Sequence, residues 1–114
     1  MTVEQDLEAF QRAVDALWNR LTMLTGAEAT ATLFRAVIHD VASDRPLLHT
    51  IVVTPQGVSL RLFMKNAQAF PAPVVRESMT HFLRAFLSRI CEISGPVMAR
   101  SLQAHVASFY ETEV

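Results

Sequence analysis

Val3, Leu7, Phe10, Val14, Leu17, Leu21 and Leu24 follow one another at alternating spacings of four and three. This is the stripe a helix presents when its whole length lies along other helices. Trp18 flanks the stripe and Ala13 and Ala16 lie near it, making it wider than the edge of an isolated two-stranded coil and suited to a bundle. A chain that opens this way must supply helical partners, from itself or from a second copy.

The start and stop signals agree with such a helix. Thr2 and Gln5 have the spacing of a capping box, Glu4 and Asp6 put negative charge at the positive end of the helix dipole, and Gly26 suits a C-terminal cap. The first helix is therefore predicted from about Thr2 to Leu24. A second, more apolar one over 27–42 carries Leu33, Phe34, Val37, Ile38 and Val41, and Ser43-Asp44-Arg45-Pro46 stops it. Two β-rich runs follow, His49–Thr54 and Val58–Lys65, joined by Pro55-Gln56-Gly57. They predict a hairpin with a bulged turn, Gly57 taking a positive φ. Val58, Leu60, Leu62 and Met64 share one face of the second run, while Ser59, Arg61, Phe63 and Lys65 share the other.

Residues 66–74 hold Phe70 between polar and small residues and end in two prolines at alternate positions, which favours an extended, irregular backbone. Pro73 fits the first turn of a third helix with the face Val75, Met79, Phe82, Phe86 and Ile90, broadened by Leu83 and Leu87. Ser94-Gly95-Pro96 breaks the run and restarts it. A fourth helix from Pro96 to about Tyr110 presents Met98, Leu102, His105, Val106 and Phe109. No repeat is visible along the chain.

The reading is a single α+β domain over 1–114, with four helices and one central hairpin in the order α-α-β-β-α-α. A lone two-stranded hairpin is marginal in water and leaves both edges unpaired. That predicts a homodimer, its hairpins joined in a four-stranded sheet or its long helices packed together. The apolar fraction, 51%, adds weight to buried surface between copies. The seam of the first helix, with Leu17, Trp18 and Leu21 at its middle, is the expected contact.

Few residues offer chemistry. Net charge is −1, so nothing draws the chain in bulk to nucleic acid or anionic lipid. No uncharged apolar run approaches a membrane span, and the acidic, amphipathic start is unlike a signal peptide. Cys91 stands alone, compatible with a reducing cytoplasm, and its neighbours Ile90 and Ile93 suggest a small core residue. Adjacent on a helix, His39 and Asp40 point apart, whereas His81 and Cys91 are too distant along theirs to share an ion. The scattered Gly26, Gly57 and Gly95 make no phosphate-cradling loop, and the serines lack a nucleophile-elbow context. No catalytic residue, metal site or cofactor is expected.

What remains is surface. Arg61, Lys65 and Arg76, with Arg84 further along, form a basic cluster beside Phe63. The 66–74 loop pairs Phe70 with prolines that lower the entropy lost on docking, and those cations could frame it as a polar rim. Phe70 is thus either an interface anchor or a plug in the core beneath the loop.

Cys91-Glu-Ile-Ser-Gly-Pro-Val-Met-Ala99, with Phe82-Leu83 and Phe86-Leu87 before it and Leu102 and Val106 after it, resembles the helix, Gly-Pro turn, helix segment near the ends of some bacterial signalling kinases and regulators. The resemblance spans residues 75–109. It implies a bacterial signalling context without a catalytic role. The reading is a non-catalytic interaction or regulatory module, homodimeric, cytoplasmic and able to bind a protein partner. The alternative is a sensor holding a small apolar or anionic ligand between the hairpin and the helices, with Phe70 as a lid.

Overall fold

In the computed structural model, which describes residues 2–113, α1 (Val3–Thr25) begins at the expected cap. The Thr2 hydroxyl accepts from the Gln5 amide at 3.1 Å, and the Thr2 amide donates to Gln5 Oε1 at 3.2 Å. A single residue, Gly26, separates α1 from α2 (Ala27–Ala42). A 3-10 turn, Pro46–Thr50, then leads into β1 (Val52–Thr54) and β2 (Gly57–Ser59). The chain continues as α3 (Arg61–Ala67), α4 (Ala72–Ser94) and α5 (Pro96–Glu113).

Gly26 lies at φ 91°, ψ 163° and Gly95 at φ 89°, ψ 170°, so the two corners share one backbone geometry. At each, the glycine N–H returns to the helix it ends: Gly26 to the Thr22 carbonyl and Gly95 to the Cys91 carbonyl, both at 2.9 Å. α1 and α4 have 23 residues each. Thr25 and Ser94 line one small groove, so both corners stand at the same end of the molecule. The helices form a ring in which α1 touches α2 and α5, and α4 touches the same two. Because α1 and α4 end together, every neighbour in the ring is antiparallel. This pairing of two helix-glycine-helix units is invisible as a sequence repeat because one glycine and its flanking helix signals suffice for each corner.

The seam of α1 is spent inside the ring. Leu7, Phe10, Val14, Leu17 and Leu21 are buried with Trp18, and only Leu24, at the corner, is exposed. Rings of Phe10, Trp18, Phe34, Phe63, Phe82 and Phe86 run through the centre, with Phe34 and Phe86 centroids 4.5 Å apart and Phe10 and Phe63 5.4 Å apart. Such pairs add directional attraction to the area they bury. Of the expected face on α5, Leu102 and Val106 are buried and Met98 is half-buried; the side chains of His105 and Phe109 lie outside the described residues. The radius of gyration, 13.2 Å, is the roughly 13 Å of one domain this long.

The class is as read, mostly helical with one antiparallel hairpin, but the middle of the chain differs. Residues 61–65, expected to extend the second strand, are helical, and each strand keeps three residues, paired Val52–Ser59, Val53–Val58 and Thr54–Gly57 around a two-residue turn. A strand with one partner leaves half its backbone groups unpaired, whereas a helix satisfies them internally. Arg61, Leu62, Met64, Lys65 and Ala67 are also good helix formers. Leu60, Phe63 and Ala67 become the buried side of this short helix, and Leu62 turns to solvent. The irregular stretch shrinks to 68–71, since α4 starts at Ala72 behind Pro71. Cys91 is exposed rather than in the core, because α4 turns Ile90 inward and leaves Cys91, Glu92 and Ile93 outside.

The hairpin sits on α1 and α2, and Arg35 of α2 donates to the Val53 carbonyl at 3.1 Å. That bond gives β1 a polar partner from its own chain.

Candidate functional site

Helical geometry places the sequence-predicted site residues in four separate settings. Leu17, Trp18 and Leu21 are in the common core. Trp18 packs against Phe34 with centroids 5.8 Å apart, so their apolar surface is covered by this chain. Phe63 was expected to stand exposed beside Arg61 and Lys65. It is fully buried, because in a helix the residue at 63 faces away from those at 61 and 65. The expected aromatic and basic pairing is thereby broken, while Arg61 and Lys65 remain exposed.

Phe70 is the third case. It is 38% exposed in the turn between α3 and α4, where its N–H bonds the Ala67 carbonyl at 3.1 Å. It does not plug the core. Leu62 on α3 and Val74 in the first turn of α4, to either side of it in the chain, are exposed to similar degrees, 49% and 42%.

Arg76 does not stand with Arg61 and Lys65. It belongs to the outer stripe of α4, residues 73, 76, 77, 80, 81 and 84, whose spacing of three and one repeats along the helix surface. Arg45, from the connection after α2, reaches across to Glu77, and together these residues line a groove of about 510 Å³. Arg45 Nε donates to both Glu77 carboxylate oxygens at 2.9 Å, and Nη2 also donates to Oε1. These hydrogen bonds hold the Glu77 carboxyl below its ordinary pKa, with the charges of Arg45 and His81 adding to them; reciprocally, the Arg45 guanidinium is pushed up.

Asp6 anchors the other arginine. Its side chain is 2% exposed, and its Oδ2 accepts from Arg76 Nε at 3.0 Å and Nη2 at 2.8 Å. Oδ1 has no hydrogen-bond partner among the described residues. Arg84, exposed, makes no ion pair among them. Nothing local marks Asp6 or Arg45 in the sequence as members of this site, because Asp6 meets its partner across 70 residues and Arg45 meets Glu77 across 32. Arg76 and Arg84 were legible, but only as part of a basic cluster with Arg61 and Lys65.

The chain finds no match among protein-family models, curated proteins or solved structures.

A second groove, about 200 Å³, lies at the corner end between Leu21, Thr25, Leu33, Ile90 and Ile93. By the hairpin, Thr54, Gln56, Gly57, Val58 and Ser59 line an open depression of about 250 Å³ on the turn itself. Phe70 lines none of these three, so the α4 groove is not the site between hairpin and helices, lidded by Phe70, that the sensor reading expected. Among the described residues, no three His, Cys, Asp or Glu side chains group to hold a metal, and no helix is long and apolar enough to cross a membrane.

Proposed function

We propose that this chain is a non-catalytic interaction or regulatory module that self-associates as a homodimer through the α3–α4 corner, in a bacterial cytoplasmic signalling context. The exposure of Phe70 carries the reading. The seam of α1, the strongest apolar stripe in the sequence, is already covered from within, and Phe70 is the one exposed aromatic among the described residues, with Leu62 and Val74 exposed before and after it in the chain. Pro71 and Pro73 hold the backbone around it, so little entropy is lost when it docks. Arg61 and Lys65 supply charge nearby in the chain, the arrangement in which an aromatic anchor is ringed by polar groups. The Gly-Pro corner at 95–96, with the resemblance it carries, supports the signalling context.

Sedimentation equilibrium tests this directly. The wild-type chain should have the mass of a dimer at micromolar concentration. Phe70→Asp should have that of a monomer, with a melting temperature within about 2 °C of the wild-type monomer's, since an exposed substitution costs little folding energy. A monomeric wild type, or a Phe70→Asp variant that stays dimeric, would overturn the corner as the interface.

A further inference from the structure

We infer that the α4 groove binds the phosphoryl group of a small phosphorylated compound. Three arginines, Arg45, Arg76 and Arg84, line this groove; among the described residues the carboxylates of Asp6 and Glu77 bond two of them, and Asp44 adds its charge beside Arg45. Each bonded carboxylate fixes an arginine without consuming it. Arg76 uses Nε and Nη2 on Asp6, and Arg45 uses Nε and Nη2 on Glu77. A guanidinium has five N–H donors, so both keep donors to spare, and the carboxylates hold them in position beforehand. Arg84, which makes no ion pair among the described residues, contributes its full fork. It lies eight residues beyond Arg76, about 12 Å along the helix, on the same stripe.

The geometry selects among anions. A carboxylate presents two oxygens in one plane with a single charge, whereas a phosphoryl group offers three oxygens in different directions and up to two charges. Donors that approach from two elements, Arg45 from the connection after α2 and Arg76 and Arg84 from α4, match the second pattern. At about 510 Å³, the groove exceeds what a bare phosphate needs and falls within the range of small-molecule sites. All three arginines belong to one chain, so this site stands or falls independently of self-association at Phe70.

The test is a titration followed by amide chemical shifts, at constant ionic strength, with pyrophosphate, inorganic phosphate, acetate and O-phosphoserine, and with a phosphoserine peptide. Pyrophosphate should saturate with a Kd at or below about 1 mM, with the largest shifts around Thr80, His81 and Arg84. Arg84→Gln, an exposed substitution that should leave the melting temperature unchanged, should weaken pyrophosphate at least about tenfold, and Arg84→Lys, which keeps charge without the fork, should fall between. Arg61→Gln removes the same charge from outside the groove and should change affinity less than about twofold. The site is overturned if nothing saturates, if Arg61→Gln costs as much as Arg84→Gln, or if acetate binds as tightly as pyrophosphate. A phosphoserine peptide binding more than about tenfold tighter than free O-phosphoserine would replace the small-molecule ligand with a protein one.

Discussion

Asp6 and Glu77 show how differently two carboxylates bound to arginine depend on their surroundings. Asp6 is buried, so its charge is tolerable only while Arg76 stays against it. Arg76→Ala should cost about 2–4 kcal/mol, toward the lower part of the range for breaking a buried pair because the Arg76 end is partly wet. Urea denaturation of the purified variant measures it, and a loss below about 1 kcal/mol would mean that water reaches Asp6 freely. Glu77 has its side chain 54% exposed, so Glu77→Gln should cost no more than about 1 kcal/mol at neutral pH. Its pH dependence has a definite sign. The folded pKa of Glu77 lies below its ordinary 4.5, so this contribution is complete above that value and is lost as pH falls through the folded pKa. The stability gap between wild type and Glu77→Gln should therefore be flat from pH 7 to about 5 and close below about 4.5. A gap that widens on acidification would contradict the assigned bond.

At the scale of elements, the two corners make the sharpest prediction. Gly26 and Gly95 have a backbone conformation open in practice to glycine alone, and a Cβ added at either would meet nothing within 4 Å. The cost of Gly26→Ala or Gly95→Ala is thus backbone strain alone, about 1–3 kcal/mol, and the two should be similar. A thermal melt of each variant checks this, and an unchanged midpoint at either corner would mean that the helices there can hinge around a different residue. Both long helices and their stops were legible in the sequence because caps, periodicity and glycine all pointed the same way. α3 was not. Val58, Leu60, Leu62 and Met64 alternate as a strand does, while Leu60, Phe63 and Ala67 recur as a helix does, and a window this short cannot separate the two periods. Tertiary context separates them, because only the helix brings Phe63 onto Phe10. Phe70 was open for a related reason: whether a loop aromatic turns inward depends on the room left by elements far away in the chain.

Across the whole molecule, neither helical pair has a core of its own. α1 lies along α5 and α2 along α4, so each pair built on a glycine corner completes the other, and Phe34 of the first pair rests on Phe82 and Phe86 of the second. Cooperative unfolding follows from this exchange, since loosening either pair exposes the apolar face of both. The same arrangement explains why α4 can present Arg76, Glu77 and Arg84 rigidly on its outer side: its inner side, from Val75 to Ile90, is buried at the centre of the ring. Trp18, the single tryptophan, packs on Phe34 within the first pair, and Phe34 in turn rests on Phe82 and Phe86 of the second, so the indole reports on the first pair one residue away from the junction. In urea, the transition followed by Trp18 fluorescence should superimpose on that followed by far-ultraviolet circular dichroism. Phe34→Ala should shift both together by about 3–5 kcal/mol, the cost of a large cavity in a packed core. If the fluorescence transition came first while half the helical signal persisted, the two pairs would be separable units, and the rigidity attributed to the α4 face would have to come from α4 and α5 alone.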